Sequence, residues 1–440
     1  MDRRPEKMNL TTFMLPAGYH KDSWRLEGSR VEELGFLDFV ADMTLLAEEA
    51  KLDAVFFGDI VTADTLLRGD VKMNGLYEPI SVLSALAART SRIGLIGTVS
   101  TTFSEPYNLA RQILGVDHMS GGRAGWNIVT SSRGNQNFGL PEMPDPVDRY
   151  RRAQEYLEVV TKLWDSWERD AVIADRATGR WADASKLHRI DHQGEFFTVQ
   201  GPLNMRPSVQ GRPILVQAGS SGPGIDLGSS FADCIYTAQP DLARAQEYYR
   251  EYKEIVASKG RNPAQVKILP GLVPIIGDTH AEAEELAELL ASQIDMDYGR
   301  IQLEADHKLD LTGLELDDRV PAERFPEKLA TSRSKIFMRK ALEERMTIRE
   351  LIVESARGTG HGWFIGTASE VAEHMITWFN GAACDGFNIN APHMPGGMET
   401  MCRKLVPELQ ERGYFREDYE GTTLREHLGL DQPASVLERV

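Results

Sequence analysis

The feature that most constrains this chain is a rhythm: a short apolar run, a polar or small-residue stop, then a longer segment of helical period. The runs fall at 10–15, 52–57, 93–99, 124–129, 213–218, 234–238, 266–276 and 384–389. Most are apolar throughout and do not alternate, the pattern of parallel strands covered on both faces. Between them, apolar spacing predicts helices over 31–50, 81–89, 107–119, 147–167, 242–259, 281–290 and 369–379. Such a β-α alternation, repeated about eight times, predicts an α/β fold with the sheet closed as a TIM (β/α)8 barrel; a doubly wound open sheet is the alternative.

Two stretches break the rhythm. The segment 170–212, containing HRIDHQGEFFTVQGPLN, has the glycine punctuation of a hairpin excursion. The segment 295–365 is charged and mostly helical in period. A barrel of about 250 residues plus two insertions accounts for the chain without a second domain. Residues 1–440 are therefore expected to form one barrel domain, with insertions near 170–212 and 295–365 and a C-terminal extension 413–440. Long insertions on βα loops build lids and pockets. The polar tail GYFREDYEGTTLREHLGL is suited to wrap a neighbouring subunit.

Composition enters as a filter on partners. Forty-nine Lys and Arg stand against 66 Asp and Glu, a net charge of −17, which repels polyphosphate backbones and anionic lipid. Nucleic acid and membrane are thereby disfavoured, although one cleft can still hold a small anion. The 3 cysteines, Cys234, Cys384 and Cys402, show no C-x-x-C spacing, which fits a reducing, cytoplasmic setting. The N-terminus lacks the apolar run of a signal peptide, and no run is long enough to span a membrane.

In a barrel, chemistry sits where strands finish. The second run ends FFGD, placing Asp59 at the rim; a helix cap or a loop salt bridge is the alternative role. The third ends GTVSTT, with Thr98 and Ser100 on one face by period two. The fourth, GWNIVTSS, carries the amide of Asn127 in apolar surroundings, where it must find partners. The fifth, ILVQAGSSGPG, runs into Ser220, Ser221 and a helix start, a cradle for an anion or a plain strand-to-helix turn. It is neither a P-loop nor G-x-G-x-x-G. His188 and His192 are four apart but lack the Glu of H-E-x-x-H, so no metal site is expected. His20, His361 and His393 lie in Gly/Pro-bearing loops of the kind that flank pockets. No G-x-S-x-G elbow or protease-type Cys signature is present.

Several runs taken together resemble the flavin-dependent monooxygenases of the bacterial luciferase-like superfamily, in the branch of nitrilotriacetate, dibenzothiophene-sulfone and long-chain-alkane monooxygenases. The segments are LDAVFFGD, EPISVLSALAARTSRIGLIGTVSTTFSEPYNLARQILGVDHMSGGRAGWNIVTS, DRYRRAQEYLEVVTKLWDSW, GPLNMRPSVQGRPILVQAGSS, ILPGLVPIIG, DGFNINAPHMPGG and FREDYEGTTLREHLGL, in the family's order from end to end. The resemblance implies a TIM barrel with insertions. It implies FMNH2 delivered by a separate NAD(P)H:flavin reductase, a C4a-(hydro)peroxyflavin formed with O2, and oxygenation of a small organic substrate. By motif, Asp59, Thr98, Asn127, Tyr150, Ser220 and Ser221 match the FMN contacts. His20 and His361 are the groups expected near the substrate, and a homodimer or homotetramer is expected. Alternatives are a deazaflavin-dependent oxidoreductase, which the WNIVTS and QAGSS runs disfavour, and a flavin-binding protein without turnover. The chain departs from the pattern where Pro146 replaces a common His and where Gly222-Pro223-Gly224 replaces Glu-Ala-Gly. Chelated aminopolycarboxylates, sulfones and alkanes are all substrates in this branch, so the sequence does not select one.

Overall fold

Alternate residues of each apolar run go to different places. In the computed structural model, which describes residues 7–63, 77–219, 221–239, 241–327 and 332–437, Val55 and Phe57 pack in one cluster with the helices. Ala54 and Phe56 belong to a second cluster inside the barrel. The same division separates Leu95 from Ile96 and Leu215 from Val216. Both faces are apolar because both are covered, so the two-residue period is hidden in the sequence.

Among the described residues, eight parallel strands close a ring: β1 (Asn9–Phe13), β2 (Ala54–Phe57), β3 (Gly94–Ser100), β4 (Ala124–Val129), β5 (Ile214–Gln217), β6 (Cys234–Thr237), β7 (Lys267–Gly277) and β8 (Gly386–Ile389). Each pairs with its neighbours in sequence, and β8 returns to β1 with Asn388 opposite Thr11. This is the TIM barrel that the rhythm predicts, with one strand in each apolar run. The helices follow suit, as in Pro146–Trp164 and Leu242–Ser258. The expected helix 31–50 is instead divided into a short turn, Val31–Glu33, and the helix Leu37–Glu49. Gly35, at φ +91°, interrupts it in a backbone conformation that a helix cannot contain.

The first excursion folds as two small antiparallel hairpins, Val172–Asp175 with Arg180–Ala182 and His192–Gln193 with Thr198–Val199. Their histidines are held by carboxylates: His188 Nε2 lies 2.9 Å from Glu168, and His192 Nε2 3.1 Å from Glu155. The second excursion carries helices Met296–His307, Ser332–Leu342 and Ile348–Gly358. They share an apolar cluster of their own, centred on Leu303, Phe337, Leu351 and Ile352. It ends earlier than the sequence suggests, because strand Gly362–Thr367 pairs in parallel with the outer half of β7, from Leu272 to Gly277.

The tail closes its own barrel. Leu424, Leu428 and Leu430 belong to the interior cluster with Ile96, Ile214 and Leu269. A Cβ on Gly94 would come within 2.4 Å of the Leu424 side chain, so β3 must start with glycine for the plug to enter. Around it Arg425 pairs with Asp233 at 3.1 Å, Arg416 pairs with Asp53, and Tyr419 donates to the Leu52 carbonyl at 2.7 Å. The N-terminal mouth is stoppered, which leaves the C-terminal mouth for chemistry.

Candidate active site

Thr98 and Asn127 are register partners across β3 and β4, and side chains at paired positions share a face. Asn127 Nδ2 donates to Thr98 Oγ1 at 2.9 Å, and Thr98 Oγ1 donates to the Phe57 carbonyl at 2.9 Å. That chain of bonds fixes the amide's orientation. Asn127 Oδ1 is left buried without a hydrogen-bond partner. Across the ring, Thr11 Oγ1 donates to Asn388 Oδ1 at 2.9 Å and Asn388 Nδ2 to Asn390 Oδ1 at 3.3 Å. There it is a donor, Asn390 Nδ2, that is buried without a partner. Sequence reasoning missed Asn390; its signal was an amide at the end of the apolar run GFNIN, the same signal that singled out Asn127.

Between these walls the surface is aromatic. Phe13 stacks on Phe56 with ring centroids 4.7 Å apart, and Phe56 meets Tyr236 edge-on at 5.0 Å. Tyr19, just beyond β1, approaches Phe13 at 6.1 Å.

The rim carries the remaining polar groups. Asp59 follows β2 and sits half-buried near Glu78; burial, and then that like charge, push its carboxyl above the usual range. Ser221 is the N-cap of helix Gly222–Phe231, its Oγ accepting the Gly224 N–H at 3.2 Å. Tyr150, from helix Pro146–Trp164, brings its hydroxyl to 3.3 Å from Ser221 Oγ. The turn is therefore a genuine cap, and the tyrosine joins it from another element. Ser220 lies outside the described residues.

His361 immediately precedes strand Gly362–Thr367 and rests on Gly271 of β7, where a Cβ would come within 2.2 Å of His361 Nδ1. Its ring meets Tyr19 at 5.7 Å. Arg333 Nη2 lies 3.3 Å from His361 Nε2 and, as a guanidinium, can only donate. Nε2 is then the acceptor, so the imidazole is neutral with its proton on Nδ1. Burial first, and the Arg333 charge second, push its pKa down to about 3. His20 is buried, and its Nδ1 accepts the Asp22 N–H at 3.4 Å. The site thus joins Thr98 to Asn127 and Tyr150 to Ser221, and sets His361 against Tyr19.

Comparison with known proteins settles the family. A model described as luciferase-like monooxygenase matches residues 17–384. The chain belongs to the luciferase-like monooxygenase family. It is 41% identical over 442 residues to N-acetyl-S-(2-succino)cysteine monooxygenase of Bacillus subtilis (strain 168), covering 99% of each chain. To nitrilotriacetate monooxygenase component A of Aminobacter aminovorans it is 37% identical over 449 residues, again covering 99% of each. The crystal structure of riboflavin lyase with modified FMN and riboflavin superposes with a TM-score of 0.86 at 29% identity, covering 97% of both chains. As a member of this family the chain is a flavin-dependent monooxygenase.

The mouth of this luciferase-like monooxygenase suits a reduced flavin. A flavin ring has apolar faces and an edge bearing both N–H and C=O groups. The aromatic surface matches the faces, and the unused acceptor of Asn127 and unused donor of Asn390 match the edge. Pro146 occupies the first turn of its helix behind the Asp145 cap, where its ring presets the backbone but offers no donor. Among the described residues, no helix is long and apolar enough to cross a membrane.

Proposed function

We propose that this chain is the oxygenase component of a two-component system, taking reduced FMN from a separate NAD(P)H:flavin reductase and using O2 to oxygenate a small organic substrate. The observation that carries the reading is the buried, unpartnered Asn127 Oδ1, held in place by Thr98. An unsatisfied acceptor inside a barrel is costly unless a ligand supplies a donor. When bound, reduced flavin supplies the electrons with which one atom of O2 is added to substrate and the other leaves as water.

The chain's own residues place and shelter that chemistry. Ser221 and Tyr150, with Ser220 beside them in sequence, hold the phosphate end through hydroxyls and the free N–H groups of a helix start. Asp59, Thr98 and Asn127 orient the polar edge of the ring. The helices of 295–361 cover the mouth and exclude water, which limits unproductive loss of reducing equivalents as hydrogen peroxide. His361 is neutral at physiological pH and offers the Nδ1 proton, while His20 lines the loop beside Tyr19.

The relatives named component A and riboflavin lyase with modified FMN support FMN and a separate partner. Anaerobic titration with reduced FMN tests the assignment. Wild type is expected to bind it, and Asn127→Ala and Ser221→Ala to bind it at least about tenfold more weakly, one lost hydrogen bond to a charged or buried group each. Equal affinity in all three proteins would overturn the site map.

A further inference from the structure

Charges buried where the barrel strands begin are mostly matched. Asp53, before β2, pairs with Arg416. Asp233, before β6, pairs with Arg425 at 3.1 Å, and Asp385, before β8, with Lys253 at 2.9 Å. Arg123, before β4, donates to the carbonyls of Ile93 at 2.6 Å and Thr90 at 2.9 Å. Lys267, the first residue of β7, is different: it is only 5% exposed, yet among the described residues neither a hydrogen bond nor an ion pair reaches its Nζ. Its place in the strand explains the burial. Ile268 packs outside with the helices and Leu269 inside the barrel, so Lys267 points inward with Leu269. Its register partner Cys234 supplies no counter-charge, because burial above all pushes that thiol up and keeps it protonated.

Lys267 lines a cavity of about 560 Å³ between the strand starts and the tail. The tail's side of it includes His427, at the end of helix Leu424–His427, whose Nδ1 is buried without a hydrogen-bond partner. The other ring nitrogen, Nε2, lies 3.3 Å from the Gly421 carbonyl, which can only accept. Nε2 therefore carries the proton, and Nδ1 is a bare acceptor. Burial, and next the Arg416 charge, lower the pKa of this imidazole to about 4 and keep it neutral. The carboxylates of the same wall are engaged elsewhere or face water. Asp418 pairs with Lys51 at 3.4 Å, Glu426 Oε2 accepts the N–H groups of Thr422 and Thr423 at 2.9 Å each, and Glu420 is exposed. The cavity thus presents a cation that lacks an acceptor and an imidazole that lacks a donor, both states that burial makes costly.

We propose that this cavity binds a small oxyanion that still bears a proton, of the inorganic phosphate type, with a charged oxygen on Lys267 Nζ and a hydroxyl donating to His427 Nδ1. One ligand then satisfies both groups, and the bond to lysine is charge-assisted. Lys267 belongs to a strand and His427 to the tail, so the bound anion staples the plug to the barrel and adds to the stability of the closed end. Sulfate and acetate, which carry no proton at neutral pH, satisfy the lysine alone. The site opens at the starts of the strands, whereas Ser221 follows the end of β5, so it is independent of the flavin reading.

Calorimetric titration of the full chain with phosphate, sulfate and acetate at constant ionic strength tests the site. Wild type is expected to bind phosphate, and to bind sulfate and acetate at least about tenfold more weakly for want of the hydroxyl bond. Lys267→Met, which keeps the apolar stem, should weaken phosphate at least about tenfold. His427→Phe, which keeps a ring against Tyr419 at 4.7 Å, should bring phosphate down to the affinity of sulfate and leave sulfate unchanged. Phosphate should raise the melting temperature of wild type and not that of Lys267→Met. In phosphate-free buffer Lys267→Met should melt no lower than wild type, since an unpaired charge has left the interior. Absence of phosphate binding in wild type, or binding untouched by Lys267→Met, would overturn the site. Sulfate binding as tightly as phosphate would overturn the protonated class of ligand and the role given to His427. A Lys267→Met protein that melts below wild type without phosphate would show the lysine to be satisfied already, and would overturn the proposal as well.

Discussion

Asn127 Nδ2 donates to Thr98 Oγ1 at 2.9 Å across adjacent strands, and this bond holds the amide with Oδ1 buried and no partner. A side chain is thereby held in a state that stability alone does not favour. Function and folding make different demands on it, and mutation can separate them.

Replacing Asn127 with Leu removes the unpaired acceptor and leaves Thr98 its bond to the Phe57 carbonyl. The flavin-free variant is expected to be as stable as wild type, within about 1 kcal/mol, because a buried unsatisfied group disappears with the lost bond. Its affinity for reduced FMN should nevertheless fall at least about tenfold. Thermal melts and anaerobic titrations of the same preparation check both halves.

Ser221 serves both as helix cap and as partner to Tyr150. Ser221→Ala should cost about 1 kcal/mol of stability through the lost cap. Ser221→Asp keeps a capping oxygen but sets a negative charge against the phosphate. It should retain stability, weaken FMN binding strongly and leave riboflavin, which has no phosphate, far less affected. Equal losses for the two flavins would place the phosphate elsewhere.

The stoppered end offers a test of packing. Asp53 is fully buried, pairs with Arg416 and accepts the Leu10 N–H at 2.6 Å. Arg416→Met should destabilise the protein by about 3–5 kcal/mol in urea, because it strands a buried carboxylate. Adding Asp53→Asn should recover part of that loss, as the stranded charge is then gone.

Acid sensitivity follows from His307, which is buried against the Phe337 ring at 4.4 Å and pushed down to about 4 by burial above all. The unfolded chain takes up this proton near the ordinary value of about 6.5, the folded chain only near 4. Stability contributed by the neutral ring is complete above that ordinary value and declines as pH falls toward 4, by about 2 kcal/mol at pH 5. His307→Gln should flatten this part of the acid limb in urea unfolding measured between pH 7 and 5.

The barrel and much of the candidate site were legible in the chain because they depend on local repetition. Each apolar run holds one strand, and Thr98, Asn127, Asp59 and Ser221 are marked by polar residues at strand ends. The meeting of His361 with Tyr19 was not legible. They are 342 positions apart, 361 less 19, and nothing near either one signals that the two rings come together. The tail's place in the barrel was not legible for a related reason. Its leucines are spaced among charges, so it looks like a solvated strap until Leu424 is seen to enter beside Gly94.

Sequence by itself determined the class of fold, the family and the residues at the ends of strands, since hydrophobic period and strand-end chemistry are properties of neighbours along the chain. Only the tertiary structure decided which end of the barrel is closed, which amide atoms are left without partners and that His361 meets Tyr19. Those depend on the satisfaction of charges and hydrogen bonds among residues brought together from distant segments, and such accounting can be done only once the chain has closed on itself.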